Sequence, residues 1–164
     1  MEYRIRKATR NDIDKLAEIY YKSWNFAYKN IISDEFLSSL TYEVRLQRFR
    51  DMKEIHEYVY ETSDGMIGCS RLIDSRDNDI ENCAEIQTIY FLPEFTGMGH
   101  GKIFLSWLIE NARTKKYKHI IVWCLSANER AGRAYGAAGF MIDNNRLINI
   151  GGVGYPETRY RIDL

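Results

Sequence analysis

The sequence predicts an α/β (α+β) domain of about seven strands and four or five helices, and three stretches carry that prediction. Ala84 to Leu92 (AEIQTIYFL) is rich in β-branched and aromatic residues and ends at Pro93; a glycine-spaced loop, Phe95 to Lys102 (FTGMGHGK), follows it. Beyond that loop Ile103, Phe104, Trp107, Leu108 and Ala112 recur at helical spacing, so the stretch reads as strand, turn and helix. Asp64-Gly65 separates two further strand-like runs, which is a hairpin signature. His119 to Leu125 (HIIVWCL) is almost continuously apolar, as a central strand covered on both faces requires.

The remaining elements follow in chain order. Tyr3 to Ala8 alternates as a short first strand. Thr9 and Asp12 form a T-x-x-D capping box ahead of an amphipathic stripe of Ile13, Leu16, Ala17, Tyr20, Trp24, Ala27 and Tyr28. Trp24 and Tyr28 read as core, yet SWNFAYKNI holds more aromatic residues than one stripe needs, so a pocket wall is an equal use for them. Ser33 caps a second helix with Phe36, Leu37 and Leu40, and Thr41 caps a continuation with Val44, Phe49 and Met52; two short helices and one kinked helix fit alike. Arg45, Arg48 and Arg50 are expected on its solvated face. Ile55 to Glu61 and Met66 to Ile73 form the hairpin, Arg76 to Asn82 (RDNDIEN) is a polar loop, and the three strands around them make an antiparallel meander. Lys115, Lys116 and Lys118 suit the end of the helix after the glycine loop. Asn128 caps the next helix, Gly139 ends it, and the chain is β-like from Phe140 to Leu164 around Gly151, Gly152 and Gly154.

With 164 residues, one domain spanning 1–164 is expected, long enough for a core without disulfides or metals. Lys plus Arg and Asp plus Glu are 23 each. That balance gives no field to gather nucleic acid or an anionic membrane, and neither is expected as a partner. Cys69, Cys83 and Cys124 are odd in number and widely spaced, with no C-x-x-C pair, which fits free core thiols and no metal site. A nucleophilic cysteine served by His56, His100 or His119 would need a pairing that the spacing does not show. MEYRIRKATRND lacks the apolar segment of a secretory signal, and no run approaches the ~18 apolar residues of a membrane span, so a cytoplasmic protein is expected.

The glycine loop carries the chemistry. Gly97, Gly99 and Gly101 permit positive φ and close backbone approach, so N–H groups at a helix start can converge on a phosphate, aided by the helix dipole. It is not a Walker A loop, because three residues separate Gly97 from Gly101 and Ile103 follows Lys102. Nor is it a dinucleotide fingerprint, because Lys102 takes the place of the third glycine.

Ile89 to Gly101 (IYFLPEFTGMGHG) and Asn128 to Phe140 (NERAGRAYGAAGF) together resemble the two signature segments of the GNAT superfamily of N-acetyltransferases. The element order agrees, and SWNFAYKNIISDEFLSSL is similar to the substrate-side helices of many bacterial, small-molecule-type members. The resemblance implies a mixed, mostly antiparallel central sheet. It also implies transfer of an acetyl group from acetyl-CoA (coenzyme A) to a primary amine, small-molecule or peptide, by direct attack in a ternary complex without a metal. The cofactor would be held by Thr96, Gly97, Met98, Gly99, His100, Gly101, Lys102, Asn128 and Arg133, with a backbone donor to the thioester carbonyl from Ile89, Tyr90 or Phe91. Thr96 departs from the family's Gln or Arg, and Lys102 and Arg133 are the charges available to compensate.

Tyr135 matches the family tyrosine that protonates the departing thiolate, a role suited to a phenol of pKa ~10. An acceptor ammonium of pKa ~10.4 must first lose a proton, at a cost of about 4 to 5 kcal/mol at neutral pH. Glu85, sharing a strand face with Gln87 and Ile89, is the candidate base, with a water chain or Glu81 as alternatives. Trp24, Tyr28 and Gln87 are the candidate substrate-binding residues, and Asn128 serves equally as a helix cap. The competing reading is a catalytically silent acyl-CoA-binding regulatory module. Edge strands and the C-terminal hairpin leave room for a homodimer.

Overall fold

The computed structural model describes residues 2–164. Seven strands form one mixed sheet in the order β1-β2-β3-β4-β5-β7-β6, and the described residues hold five α-helices and two 3-10 turns. By its contacts the chain divides into two compact units. The first runs up to Arg71 and takes in Thr88–Met98; the second is Leu72–Gln87 with Gly99–Leu164.

In the first unit, β1 (Arg4–Lys7) pairs antiparallel with β2 (Glu57–Thr62), and β2 with β3 (Gly65–Asp74), whose last residues pass into the second unit. The turn rests on Gly65 at φ 90, a conformation only glycine adopts freely. α1 (Ile13–Ala27) follows a 3-10 turn whose Thr9–Asp12 capping box is formed as predicted. Its buried stripe of Ile13, Leu16, Ala17, Ile19 and Tyr20 packs with Phe49, Val59, Met66 and Leu92 into one core. Tyr28 lies just past the helix as its C-cap. Two helices follow, not one kinked one: α2 (Asp34–Ser39) and α3 (Tyr42–Asp51), capped by the hydroxyls of Ser33 and Thr41.

The arginines of α3 divide. Arg48 and Arg50 are exposed, but Arg45 is buried, which corrects the expectation of a solvated face. Arg45 and Phe49 lie four residues apart, so both fall on the buried stripe.

In the second unit, β4 (Cys83–Phe91, of which residues from Thr88 onward belong to the first) pairs parallel with β5 (His119–Leu125) from Cys83↔His119 to Glu85↔Ile121. β5 also pairs antiparallel with β7 (Val153–Asp163), which in turn carries β6 (Met141–Ile150) through a turn at Gly151 and Gly152. α4 (His100–Thr114) buries Phe104, Leu105, Leu108, Ile109 and Ala112, and α5 (Glu129–Ala137) ends ahead of Gly139 at φ 92. The polar loop at 76–82 is tied down by charge. Arg159, 4% exposed, donates to Asp77, Asp79 and Asp143, while Arg146 lies 3.8 Å over the Trp123 ring and the Trp123 indole donates to Asp77.

The hairpin of the first unit depends on a missing side chain. A Cβ on Gly68 would lie 2.6 Å from the Phe91 ring and 2.9 Å from the Tyr90 carbonyl oxygen. Gly68→Ala is therefore expected to lose ~1–3 kcal/mol by overpacking, read as a lower urea midpoint with an unchanged m-value. A pH effect follows from the capping box. The Arg6 guanidinium, with help from the Thr9 N–H, holds the Asp12 carboxyl down to about 2. A depressed folded-state value contributes stability that is present above the unfolded value near 3.9 and is lost as pH falls through about 2. Asp12→Asn should cost ~1 kcal/mol at neutral pH, and the gap to the parent protein should close between about pH 4 and pH 2.

Candidate functional site

The glycine loop behaves as a helix start designed to stay open. Gly97 and Gly99 adopt φ 85 and 90, and a Cβ at either would meet nothing within 4 Å, so there is open space before both. Gly99 is the N-cap of α4 and supplies no side chain. α2, α3 and α5 are each closed by a side-chain acceptor from Ser33, Thr41 or Asn128, whereas α4 has no side-chain cap and no acid in its first turn. No side chain caps this helix start, an arrangement that suits an external anion. Gly101 corrects the expectation of a third positive φ: it lies within the first turn of α4. Lys102 is exposed in that turn, His100 is buried at its start, and Met98 is exposed ahead of it. Thr96, the departure from the family pattern, turns its hydroxyl to the Leu92 carbonyl at 3.4 Å. These residues fit a pyrophosphate through main-chain donors, with Lys102 as the charge in the same turn.

On α5, Asn128 acts as a cap, its side-chain oxygen accepting from the Ala131 N–H at 3.3 Å. Arg133 is exposed and pairs with Glu129 at 3.2 Å. Tyr135 is 7% exposed, with its ring centroid 5.5 Å from that of Tyr160 and 6.0 Å from that of Phe140. A Cβ on Gly132 would lie 2.5 Å from the Tyr160 hydroxyl, so glycine at that position is what lets Tyr160 reach the helix.

Glu85, the candidate base, is 1% exposed and already engaged. Arg76 donates to it from its main-chain N–H at 3.2 Å, from Nε at 3.0 Å and from Nη2. Glu81 is exposed and Gln87 half-buried.

In the first unit, Ile89, Tyr90 and Phe91 are half-buried at the end of β4. Side-chain hydroxyls reach this segment: Ser70 donates to the Thr88 carbonyl and Ser23 to the Phe91 carbonyl, both at 2.7 Å. The aromatic residues expected as core or pocket wall cluster here. Trp24 donates to the Tyr90 hydroxyl at 2.9 Å, Trp24 and Tyr28 have ring centroids 4.7 Å apart, and Tyr28 also hydrogen-bonds Tyr90. Burial pushes the Tyr90 phenol up to about 12, so it stays protonated. Arg45, which the charge pattern did not single out, joins this cluster with its guanidinium carbon 4.7 Å from the Trp24 ring. The signal available for it was its spacing from Phe49.

Burial keeps the thiols protonated. All three cysteines are free and buried; burial pushes Cys83 up to about 11, Cys124 up to about 12 and Cys69 well above the ordinary range. His119 is held by Asp163 at 2.6 Å. Among the described residues no group of His, Cys, Asp and Glu could hold a metal ion, and no helix is long and apolar enough to cross a membrane.

Three comparisons bear on these residues. The model of the Acetyltransferase (GNAT) family matches residues 13–140. A spermidine N(1)-acetyltransferase of Thermoplasma acidophilum is 30% identical over 128 residues, covering 74% of this chain and 75% of that protein. Among solved structures, the PaiA N-acetyltransferase of the same organism, in complex with coenzyme A, is 23% identical with a TM-score of 0.70, covering 98% of this chain and all of that one. An N-acetyltransferase from Staphylococcus aureus has a TM-score of 0.75 at 20% identity, over 99% of each chain. The glycine loop, the Asn128–Phe140 segment and the seven-stranded sheet thus have one explanation: the chain belongs to the acetyltransferase (GNAT) family and is an acyltransferase of the N-acetyltransferase type.

Proposed function

We propose that the protein transfers an acetyl group from acetyl-CoA to a primary amine by direct attack in a ternary complex. The observation that carries this reading is the uncapped start of α4 behind two left-handed glycines, a cradle for a pyrophosphate in a chain of this family. When bound, acetyl-CoA supplies an activated thioester carbonyl and a thiol leaving group. The main-chain donors of the Gly97–Gly101 loop hold its phosphates, and Lys102 adds charge that Thr96 lacks. An N–H from Ile89, Tyr90 or Phe91 stabilises negative charge on the reacting carbonyl oxygen. Tyr135 delivers its phenolic proton to the departing sulfur.

Removal of the amine proton is assigned to Glu85 or to a water chain. Because Arg76 donates to both Glu85 oxygens, the role passes more readily to a water chain ending on that carboxylate. Trp24 and Tyr28 form the acceptor wall in this reading, with Gln87 as a further polar contact. The name of the Thermoplasma relative makes polyamines one acceptor class to try, beside other small primary amines and peptide N-termini. The balanced charge of 23 basic and 23 acidic residues favours a protein that binds neither nucleic acid nor an anionic membrane, the proposed reaction needs no metal and suits the cytoplasm, and the sheet edges would serve a homodimer.

Acetyl-CoA, but not ATP, should raise the melting temperature of the purified protein, and free thiol should be released with at least one member of an amine panel. Tyr135→Phe should lower kcat by ~10²- to 10⁴-fold while keeping the acetyl-CoA-induced thermal shift. Cofactor binding without turnover on any amine, with Tyr135→Phe indistinguishable from the parent, would instead support the silent regulatory module.

A further inference from the structure

Other arginines of the fold turn their side-on edge to a carboxylate of the chain, and Arg45 does not. Arg71 places Nε and Nη2 on Glu57, Arg76 places the same pair on Glu85, and Arg159 places the same pair on Asp143. This edge of the guanidinium presents two parallel N–H groups that match the two oxygens of a carboxylate. Arg45 is 6% exposed, and its Nε and Nη2 are the two nitrogens that have no hydrogen-bond partner. No ion pair to Arg45 is formed among the described residues. Its electrostatic neighbours are the phenols of Tyr90, Tyr20 and Tyr28 and the like charge of Arg48.

The surrounding polar groups are already spoken for. Trp24 donates to Tyr90, Tyr28 bonds Tyr90, and the Tyr20 hydroxyl is shared between Glu57 and Thr88. The Trp24 face gives Arg45 a cation–π contact at 4.7 Å, which offsets part of its desolvation and leaves the N–H pair untouched. Burial without an anion also pulls the guanidinium below its ordinary value. A buried cation with an orphaned donor pair is costly in a folded chain, and the cost is recovered when a carboxylate arrives. Tyr90, which ties this cluster together, belongs to the β4 segment assigned above to the reacting carbonyl.

We infer that the Nε/Nη2 edge of Arg45 anchors a carboxylate of the acceptor, so that the amine acetylated is an amino-acid-like, carboxylate-bearing primary amine. This rests on the acetyl-transfer reading. The half-buried Trp24 and Tyr28 cover the anchor and contact the carbon skeleton between carboxylate and amine, and a polycationic amine is repelled by the same charge.

The test uses pairs of primary amines that differ only in a free carboxylate or its carboxamide, with the parent protein, Arg45→Met and Arg45→Lys. Arg45→Met keeps length and apolar volume and removes an unpaired charge, so without ligand it should melt at or above the parent temperature; an arginine with a merely structural role would lower it. In the parent, kcat/KM should favour the carboxylate member by at least ~10-fold, as charge-assisted hydrogen bonds of this kind imply. Arg45→Met should erase the preference, so that the carboxylate and carboxamide members of each pair are turned over alike, and Arg45→Lys should restore only part of it. Binding of the same pairs without acetyl-CoA, by calorimetry, separates the two readings. Carboxylate-dependent binding lost in Arg45→Met, with no acetyl transfer to any amine, keeps the anchor and sinks the acetyl-transfer reading. Turnover without carboxylate preference, or a preference for polyamines, keeps that reading and overturns the anchor. Acetate alone raising the melting temperature of the parent but not of Arg45→Met, with both members of each pair turned over equally, would also overturn it, since the site would then take a free anion.

Discussion

Charge removed from water has to be met by charge or hydrogen bonds, and both compact units are organised by that requirement. In the first, Glu57 is fully buried in β2 and is held by Arg71 from the neighbouring strand β3 and by the Tyr20 hydroxyl from α1. Tyr20 passes the bond on to Thr88, whose hydroxyl oxygen also accepts the Arg71 main-chain N–H. One carboxylate thereby ties α1, β2 and β3 to β4 at Thr88. In the second unit Arg159 plays the equivalent part with the sign reversed: its three aspartates come from the 77–79 loop and from β6, so a loop with no regular structure is held against the C-terminal hairpin. Trp123 of β5 adds a hydrogen bond to Asp77 and a face for Arg146, which itself pairs with Glu157.

The buried polar groups divide into those that are met and those that are not: Arg45 Nε and Nη2 and Glu57 Oε2 are buried without a hydrogen-bond partner. Caps follow the same division. α2, α3 and α5 satisfy a first-turn N–H with their own Ser33, Thr41 and Asn128, and those ends have no vacancy for a ligand. α4 starts on two residues that contribute no cap, at a place where added Cβ atoms would enter empty space. Gly99, at φ 90, offers no side-chain acceptor where Ser, Thr or Asn caps α2, α3 and α5, and in the proposed function that end receives the anion.

The elements were legible because their signals are local. The Thr9–Asp12 box, the Asp64-Gly65 turn, the Asn128 cap and the apolar runs of β4 and β5 each lie within a few residues of the structure they specify. The glycine loop was legible for the same reason, except at Gly101, where spacing cannot distinguish a glycine needed for its φ from one needed for its lack of a side chain in a helical turn. What stayed hidden depends on tertiary partners. Three arginines in one short helix look alike by composition, and only packing against α1 decides that Arg45 turns inward while Arg48 and Arg50 face water. Nor did the sequence signal that Glu85 is held by Arg76, from a loop nine residues earlier in the chain. Glu57 and the aspartates of the 76–82 loop gave no signal, because a carboxylate destined for burial has the same sequence appearance as one on the surface.

The placing of Tyr135, the proposed acid, shows how one side chain is fixed by residues with no proposed chemistry. Its ring lies between Tyr160 of β7 and Phe140, the residue that follows the left-handed Gly139. Gly139 reverses the chain so that the Phe140 N–H returns to the Tyr135 carbonyl at 3.1 Å, which locks Phe140 beneath the end of its own helix. Gly132, one turn before Tyr135, clears the space that the Tyr160 hydroxyl enters. Each glycine therefore sets one wall of the slot, and any side chain at Gly132 would push Tyr160 away from the helix and free the Tyr135 ring to turn. The Gly, Tyr, Gly-Phe spacing of NERAGRAYGAAGF is thus a packing requirement whatever chemistry Tyr135 performs.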